Sequence, residues 1–576
     1  MLYGDDPDEL YLPHGLVPAE DSTDGYDRFR SNSTKPGEKW KSRFRCRIIS
    51  YALVIVLSVL VAFFVPVLLD DMQTAQVRAR TIITSKGVEG YPGWTDSSLN
   101  SLRYHRVYVF NITNPEGILK GEKVHVKECG PFIYTVVKEK INVAWDEHGK
   151  DQVSYNDWTH YTFDREKTIE ETGGKHTTDH ENFTVANSFF WGMEAQAGKV
   201  IWKDHFKDYT PYNRMFAHLS VIDLVNGYGT GLFKFPGLQP NQPHPSDAPA
   251  PNTQRVGETD QSLVGNYVRW HDQKELSVPC PWGELKDNCS PSKFPCCGGQ
   301  SAVWQTPPKG SKIPEEENEG LPNVVTGTNG AQFPPGNHSH VAIFVDALSR
   351  HVKLNRVLGG TDHYGVKLLK YSLPAMNPAN GNATTFSYNK NYYMFGPRGI
   401  QNGTMTEKGA PIFFSMPHFL GVGKEASERV NGLRADESKH ETFIGVNPTL
   451  GLTFLARQRL QINVQVRRVV FNVNETWFPD IMPGKTYVPL AWIEEASESK
   501  KSVAEELRDV FSMLKTLKQG SLWLGIVAGS ISFLLFAYSG HKYYSKLGRG
   551  NDGAGESLVY FGDHDAGSYG SLISGI

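Results

Sequence analysis

Three lysines at intervals of four are the side chains whose spacing most directly suggests ligand binding. They are Lys199, Lys203 and Lys207, in the stretch AGKVIWKDHFKDYTPYNRMF. On a helix, residues four apart share a face, so the three ammonium groups would present one cationic surface suited to capturing an anion. Asp204 and Asp208 alternate with them, and a solvated helix face accounts for this pattern as well.

Histidines in or near the same region are candidates for pH sensing: His160, His176, His180, His205 and His218. Imidazole changes charge between pH 5 and 8, so these residues suggest a partner that is released in acid. His176 and His180, four apart in HTTDH, could also bind a metal on a helix. The Glu of an H-E-x-x-H site is absent and a glycosylation sequon follows at Asn182, which favours a surface loop.

Sequence signatures of catalysis are missing from the chain. It contains no G-x-S-x-G nucleophile elbow and no G-x-x-x-x-G-K-[ST] phosphate loop. The net charge of -3 does not favour a nucleic-acid partner. We therefore expect a protein that is not an enzyme and that uses neither a cofactor nor a metal.

Six cysteines divide into a cluster and two isolated thiols. Cys280, Cys289, Cys296 and Cys297 lie within 18 residues, and in an oxidising compartment they are candidates for local disulfides rather than for a metal knuckle. Cys129 is then the odd thiol. Cys46 lies at the edge of an apolar run, where it is either an S-acylation site or an inert thiol.

Two apolar runs are long enough to cross a bilayer. Residues 48–69 and 521–540 contain no charged side chain, and 22 helical residues span roughly 33 Å, against about 30 Å for the hydrocarbon core. Basic residues precede the first run and follow the second, which places both termini in the cytosol. The first run is too long and too far from the N-terminus for a cleaved signal peptide and is interpreted as a signal anchor.

The segment between the runs carries the sequence marks of a lumenal or extracellular domain. Glycosylation sequons occur there in excess of chance, at Asn111, Asn182, Asn337, Asn382, Asn402 and Asn474, with a poorer one at Asn288. The predicted organisation is a disordered tail (1–47), a first span (48–69), a glycosylated ectodomain (70–520), a second span (521–540) and a disordered tail (541–576). Tyr569 and Leu572 in the last tail fit a Tyr-x-x-apolar endocytic signal.

Short β-branched and aromatic runs dominate the ectodomain. RVYVFNIT, KVHVKECGPFIYTVV, HVAIFVDAL, LTFLARQRLQINVQVRRVVFNV and TYVPLAWI all predict strands, and the fourth, residues 452–473, places Leu460, Ile462, Val464 and Val466 on one face. A single amphipathic helix, residues 498–520, leads into the second span and is interpreted as a membrane-proximal stalk. The predicted class is α+β and rich in strands.

The stretch GTNGAQFPP, residues 327–335, precedes one of these strands. No Lys-Ser/Thr follows it and no helix begins there, which argues against a phosphate loop. Gly327 and Gly330 can adopt the positive φ of tight turns, Pro334 and Pro335 stiffen the exit, and Phe333 can anchor the turn in the core. We expect a rigid corner of the fold.

Several of these motifs together resemble the class B scavenger receptor family. They are VYVFNITNPEGILKGEKVHVKECGPFIY, GTNGAQFPP, SMPHFLGV, NPTLGLTFLARQRLQINVQV and YVPLAWIEE, which occur in the family's order between two spans. Cysteines that family members usually carry just before the GT-G-FPP block, in the strand that follows it and farther on are absent here, so the chain resembles a divergent member.

The resemblance implies both an architecture and an activity. It implies a single large ectodomain with an antiparallel β-barrel-like core and a helical apex that encloses an apolar tunnel, and this ectodomain is flanked by two transmembrane helices. It places Lys199, Lys203 and Lys207 at the apex as ligand-binding candidates. The implied function is to bind lipid or lipoprotein (fatty acid, sterol or phospholipid) and transfer lipid to the membrane. The alternatives are an endosomal or lysosomal sorting receptor for a protein cargo and a phagocytic or adhesion receptor.

The resemblance also bears on partners and location. It implies a plasma-membrane or endolysosomal protein with a lipid or lipoprotein ligand and a protein cargo, if one exists, at the apex. The membrane helices could support oligomerisation.

Overall fold

A computed structural model describes most of the predicted ectodomain and both apolar runs. The described residues are 36–146, 151–188, 190–191, 215–228, 237–238, 250–274, 325–348, 350–373, 376, 397–403, 411–466, 470–472, 475–476 and 486–551. They divide into two compact units: one contains residues 36–67 and 518–551, and the other contains the described residues between Leu68 and Leu517.

Two long α-helices contain the apolar runs, and six short α-helices lie between them in the part of the chain that the structure describes. The helices are α1 (Pro36–Thr81), α2 (Tyr91–Thr95), α3 (Pro115–Ile118), α4 (Arg165–Thr172), α5 (Val221–Asn226), α6 (Lys424–Ser427), α7 (Glu437–His440) and α8 (Lys501–Asn551). Both α1 and α8 are long and apolar enough to cross a membrane. Residues 36–47 and 541–551 fall in the tails predicted to be disordered, but they are helical and extend α1 and α8.

Strands are the main regular elements in the described part of the second unit. They are β1 (Ser101–Ile112), β2 (Val124–Trp145), β3 (Gln152–Phe163), β4 (Asn182–Ala186), β5 (Phe216–Ser220), β6 (Asn252–Arg255), β7 (Tyr267–Arg269), β8 (His340–Val345), β9 (Arg350–His363), β10 (Val366–Ser372), β11 (Ile400–Asn402), β12 (Ile412–Ser415), β13 (Val430–Asn431), β14 (Phe443–Val446), β15 (Thr453–Val466), β16 (Val470–Asn472), β17 (Glu475–Thr476) and β18 (Thr486–Ser499). The five runs predicted as strands correspond to β1, β2, β8, β15 and β18, so these predictions are confirmed.

One large sheet organises this unit. Its strands follow the order β7-β6-β3-β2-β1-β18-β15-β14-β10-β9-β8, with β11, β12 and β13 attached at its sides, and neighbours along the main path are antiparallel. The fold is therefore a mixed helix-and-sheet structure built on an antiparallel sheet, as the sequence predicts. Strands β4 and β5 form a separate hairpin.

The central strands are buried on both faces. In β15 the apolar Val464 is fully buried, and so are Gln461 and Asn463 on the opposite face. Gln461 Nε2 donates to Asn463 Oδ1 at 2.8 Å, and Asn463 Nδ2 donates to Ser415 Oγ at 3.0 Å. Buried amides must be hydrogen-bonded to avoid a desolvation penalty, and this network meets that need.

The predicted corner at residues 327–335 is confirmed. Gly327 and Gly330 have φ of 79° and 82°, in the left-handed region that favours glycine. Phe333 is 2% exposed and belongs to the main core cluster. Gly451 packs against this corner, where an added Cβ would lie 2.0 Å from the Phe333 carbonyl oxygen.

The predicted stalk is the first part of α8. Its residues Ala504 and Leu507 are buried in a small cluster with Val366, Leu368 and other apolar side chains of the second unit. The amphipathic pattern of residues 498–520 thus reflects a helix face that packs on the sheet unit.

Candidate functional site: a charged face of the central sheet

Four strands place charged side chains on one face of the sheet. Antiparallel partners project their side chains on the same side, and side chains alternate along each strand. His105 of β1 pairs with Glu495 of β18, and Lys140 of β2 pairs with Asp157 of β3. We call the following set the polar patch: Arg103, His105, Lys138, Lys140, Asp157 and Glu495.

The same face becomes apolar farther along the strands. Val107 pairs with Ile493 on one side and with Phe132 on the other, and Val109 pairs with Ala491. All five side chains are at most 6% exposed. Along β1 the face therefore changes from charged to apolar in the single step from His105 to Val107.

Several polar atoms of the patch have no hydrogen-bond partner among the described residues. They are both ring nitrogens of His105, the Nε of Arg103 and the Oδ1 of Asp157, and each is inaccessible to water. The His105 ring is fully buried and packs edge-on against Tyr161, with 5.3 Å between ring centroids. Such groups cost free energy unless a ligand or water satisfies them, which makes the patch a candidate binding site.

Burial dominates the electrostatics of the patch. It lowers the pKa of His105 to about 4, against the opposing effect of Glu495, so the ring is neutral near pH 7. It lowers the pKa of Lys140 to about 8, helped by Lys138 and Arg103 and opposed by Asp157. Three cationic side chains face two carboxylates, which leaves the patch with an excess of positive charge.

Lys140 is the best positioned of these cations. Its Nζ donates to the Trp94 carbonyl oxygen at 2.9 Å and lies 4.8 Å from the centre of the Trp94 ring and 5.3 Å from that of Tyr155. Aromatic faces stabilise a cation that has lost water. Asp157 is held by Asn252, whose Nδ2 donates to Oδ2 at 3.0 Å. The arrangement suits the binding of a carboxylate or phosphate group.

The lysines predicted as ligand-binding residues, Lys199, Lys203 and Lys207, lie outside the described residues, as does His205. Three of the other predicted histidines gather around the β4–β5 hairpin. The Nδ1 of His176 lies 2.7 Å from Glu181 Oε2, the Nδ1 of His218 lies 3.1 Å from Thr184 Oγ1, and His180 is exposed. His160 is exposed elsewhere, on β3, and stacks on Trp158. Their role in pH sensing stays a prediction.

The remaining predicted residues are distributed over the surface and the undescribed segments. Asn182 and Asn337 are exposed, Asn402 ends β11, and Asn111 is half-buried with its Oδ1 accepting from the Thr184 N–H at 2.9 Å. Cys46 and Cys129 are free thiols. The following lie outside the described residues: Asn288, Asn382, Asn474, Cys280, Cys289, Cys296, Cys297, Tyr569 and Leu572. Among the residues that the structure does describe, no group of three or more His, Cys, Asp or Glu could hold a metal.

Comparison with known proteins gives a consistent family assignment. The model of the CD36 family matches residues 49–539. The scavenger receptor class B member 1 of Bos taurus is 23% identical over 408 residues, which cover 70% of this chain and 72% of that protein. The lysosome membrane protein 2 of Homo sapiens is 23% identical over 455 residues, which cover 75% and 82%. The sensory neuron membrane protein 2 of Heliothis virescens is 22% identical over 454 residues, which cover 73% and 80%.

The low identities agree with the divergence that the sequence motifs indicate, and the resemblance to class B scavenger receptors is confirmed. Two helices able to span a membrane fit relatives that are receptors and membrane proteins. The family match reaches from the first apolar run to the end of the second. This chain is therefore a scavenger-receptor-like membrane protein and belongs to the CD36 family.

Proposed function

We propose that this protein binds lipid or lipoprotein through its ectodomain and passes lipid through an apolar tunnel to the membrane. In this proposal both termini are cytosolic, residues 70–520 face the lumen or the exterior, and the fold encloses the tunnel within a barrel-like core. The membrane would be the plasma membrane or that of endosomes and lysosomes. The names of the relatives, scavenger receptor and lysosome membrane protein, support this location and class of function.

The observation that carries the proposal is the change in polarity along one face of the central strands. The polar part includes His105 and Lys140, and the apolar part includes Val107, Val109 and Ile493. A lipid has the same division between a polar headgroup and an apolar chain. An apolar path would save about 0.8 kcal/mol for each CH₂ group kept out of water.

The polar patch supplies the headgroup end of this path. Its excess of cations favours a carboxylate or phosphate over a neutral headgroup. A bound oxygen could accept hydrogen bonds from Arg103 Nε and from the protonated ring nitrogen of His105, which have no partner among the described residues. Each such bond would remove a penalty of about 1–3 kcal/mol.

The test is lipid content measured by native mass spectrometry of the full-length protein in detergent. We expect the wild type to retain an acyl lipid. Lys140→Met should lower the retained amount about tenfold, the effect of losing one buried charge–charge hydrogen bond of about 1.4 kcal/mol. Lys127→Met is the matched control, because Lys127 lies on the same strand but is exposed. A wild type without lipid, or equal retention by both variants, would refute the proposal.

A further inference from the structure

Two stacked histidines lie beneath a surface segment far along the chain from the polar patch. The His418 and His440 rings are 4.4 Å apart between centroids and inclined by 12°. Both side chains are largely buried, with 9% and 5% exposure. His418 belongs to the turn at Pro417–Phe419, and His440 is the last residue of α7.

Backbone hydrogen bonds fix the protonation state of both rings. The Arg434 N–H donates to His418 Nδ1 at 3.0 Å, and the Asp436 N–H donates to His440 Nδ1 at 2.9 Å. A backbone N–H can only donate, so each Nδ1 must present a lone pair. Both rings are therefore neutral, with the proton of each on Nε2.

The Nε2 proton of His418 is shared with a carboxylate. His418 Nε2 donates to Glu128 Oε2 at 2.5 Å, and Trp492 Nε1 donates to the same oxygen at 2.6 Å. Burial raises the pKa of Glu128, but these two hydrogen bonds outweigh it and leave the pKa below its usual value. The carboxylate is thus charged, and it favours the protonated form of His440.

The charged groups around the pair come from three elements. Glu128 on β2 and Asp436 before α7 favour the protonated form of His440, whereas Arg459 on β15 opposes it. Burial and the adjacent His418 oppose it more strongly and lower the pKa of His440 to about 4. Phe110 and Trp492 provide uncharged ring contacts. Two imidazolium rings stacked at this distance would repel, so the pair accepts one proton first.

The rings hold the segment that joins β13 to α7. Within residues 433–436, the described hydrogen bonds include two that a backbone N–H donates. The donors are Arg434 and Asp436, and each donates to one of the two histidine rings. Arg434 and Ala435 are exposed. An imidazolium ring has no lone pair on nitrogen. A proton on Nδ1 would therefore point at the backbone N–H that donates to this atom, and the hydrogen bond would be lost.

We propose that His418 and His440 form an acid-sensitive latch that holds residues 433–436 on the sheet at neutral pH and releases them when the pair takes up a proton. This device does not depend on lipid transfer or on the histidines that the sequence singles out. It would change an exposed surface when the protein passes from a neutral to an acidic compartment.

The test is hydrogen–deuterium exchange of the full-length protein in detergent at pH 7.4 and pH 5.0, corrected for the intrinsic effect of pH on exchange. The amides of Arg434 and Asp436 should lose protection by about tenfold or more at pH 5.0 while β15 stays protected. His418→Asn/His440→Asn should keep protection at both pH values, because each Asn Oδ1 replaces Nδ1 as an acceptor and does not titrate. His160→Asn, at an exposed position, should behave as the wild type.

A second variant keeps the latch testable if the double variant does not fold. Glu128→Gln removes the carboxylate that favours the imidazolium, so the pH midpoint of opening should fall by about one unit. The proposal is wrong if the wild type keeps its protection at pH 5.0 or if the double variant loses protection as the wild type does. Equal loss in β15, or an unchanged midpoint in Glu128→Gln, would also overturn it.

Discussion

Replacing His105 by Phe should stabilise the lipid-free protein, and by more at pH 5 than at pH 7.4. The ring is fully buried and neither nitrogen has a hydrogen-bond partner among the described residues. A phenyl ring keeps the edge-on contact with Tyr161, at 5.3 Å between centroids, and buries no polar atom. The native residue is therefore costly to the fold, which fits a side chain kept for binding.

The size of the effect follows from burial and from the pKa of His105. Burying an unsatisfied polar group costs about 1–3 kcal/mol, and strain from the larger ring takes back about 1 kcal/mol, so the net gain in unfolding free energy near neutral pH is about 0–2 kcal/mol. Folding lowers the pKa from about 6.5 to about 4. Because the pKa is lower in the folded state, the unfolded state takes up a proton first as the pH falls. The free energy of unfolding therefore has its full value above pH 6.5 and decreases as the pH falls towards 4. At pH 5 the loss is about 2 kcal/mol, and Phe avoids it.

The assay is urea unfolding of the full-length protein in detergent, followed by tryptophan fluorescence at both pH values. The gain of His105→Phe should rise by about 2 kcal/mol, from about 0–2 kcal/mol at pH 7.4 to about 2–4 kcal/mol at pH 5. His160→Phe, at an exposed site on β3, should show no such rise. A variant that is less stable than the wild type, or a gain equal at both pH values, would show that the ring has a partner or is already charged.

Three further substitutions test the packing. Gly525→Leu should separate α1 from α8, since a Cβ there would lie 2.5 Å from the Ala62 Cβ. Glu494→Gln should cost about 3–5 kcal/mol of unfolding free energy, because that buried carboxylate accepts hydrogen bonds from two arginines, at 3.0 and 2.7 Å. Gly451→Ala should cost about 1–3 kcal/mol, because its φ is +70° and the new methyl would collide with the Phe333 carbonyl oxygen.

Each substitution has a matched control. Cross-linking between cysteines placed at Ser58 and Gly529 reports the helix contact, and Gly520→Leu, with open space around the new side chain, should leave it intact. Urea unfolding measures the effects of Glu494→Gln and Gly451→Ala. Their controls are Glu171→Gln, at a half-exposed side chain, and Gly359→Ala, where no atom lies near the new methyl group. Equal effects of variant and control would contradict the packing on which each prediction depends.

Local pattern was enough to predict much of the fold. Strands such as β15 follow from alternation of apolar and polar residues, and the membrane helices follow from long uncharged runs. The corner at 327–335 follows from glycines and prolines at fixed positions, and the structure gives Phe333 the anchoring position expected.

The candidate site could not be predicted in the same way. His105 meets Glu495 across 390 residues of sequence, so their shared face exists only once β1 and β18 have paired. His418 and His440 likewise gain their role from two backbone N–H groups whose positions no sequence pattern specifies. A charged residue inside a strand, such as Arg103 or Lys140, is the signal that could have directed attention to the polar patch.

The most direct test of lipid binding at the polar patch is photo-cross-linking of the full-length protein with a fatty acid that carries a diazirine beside its carboxyl group. We expect mass spectrometry to find the label on the segments of β1 and β2 that contain Arg103, His105, Lys138 and Lys140, and we expect excess unlabelled fatty acid to reduce this labelling. Labelling confined to other segments, or labelling that excess fatty acid does not reduce, would contradict it.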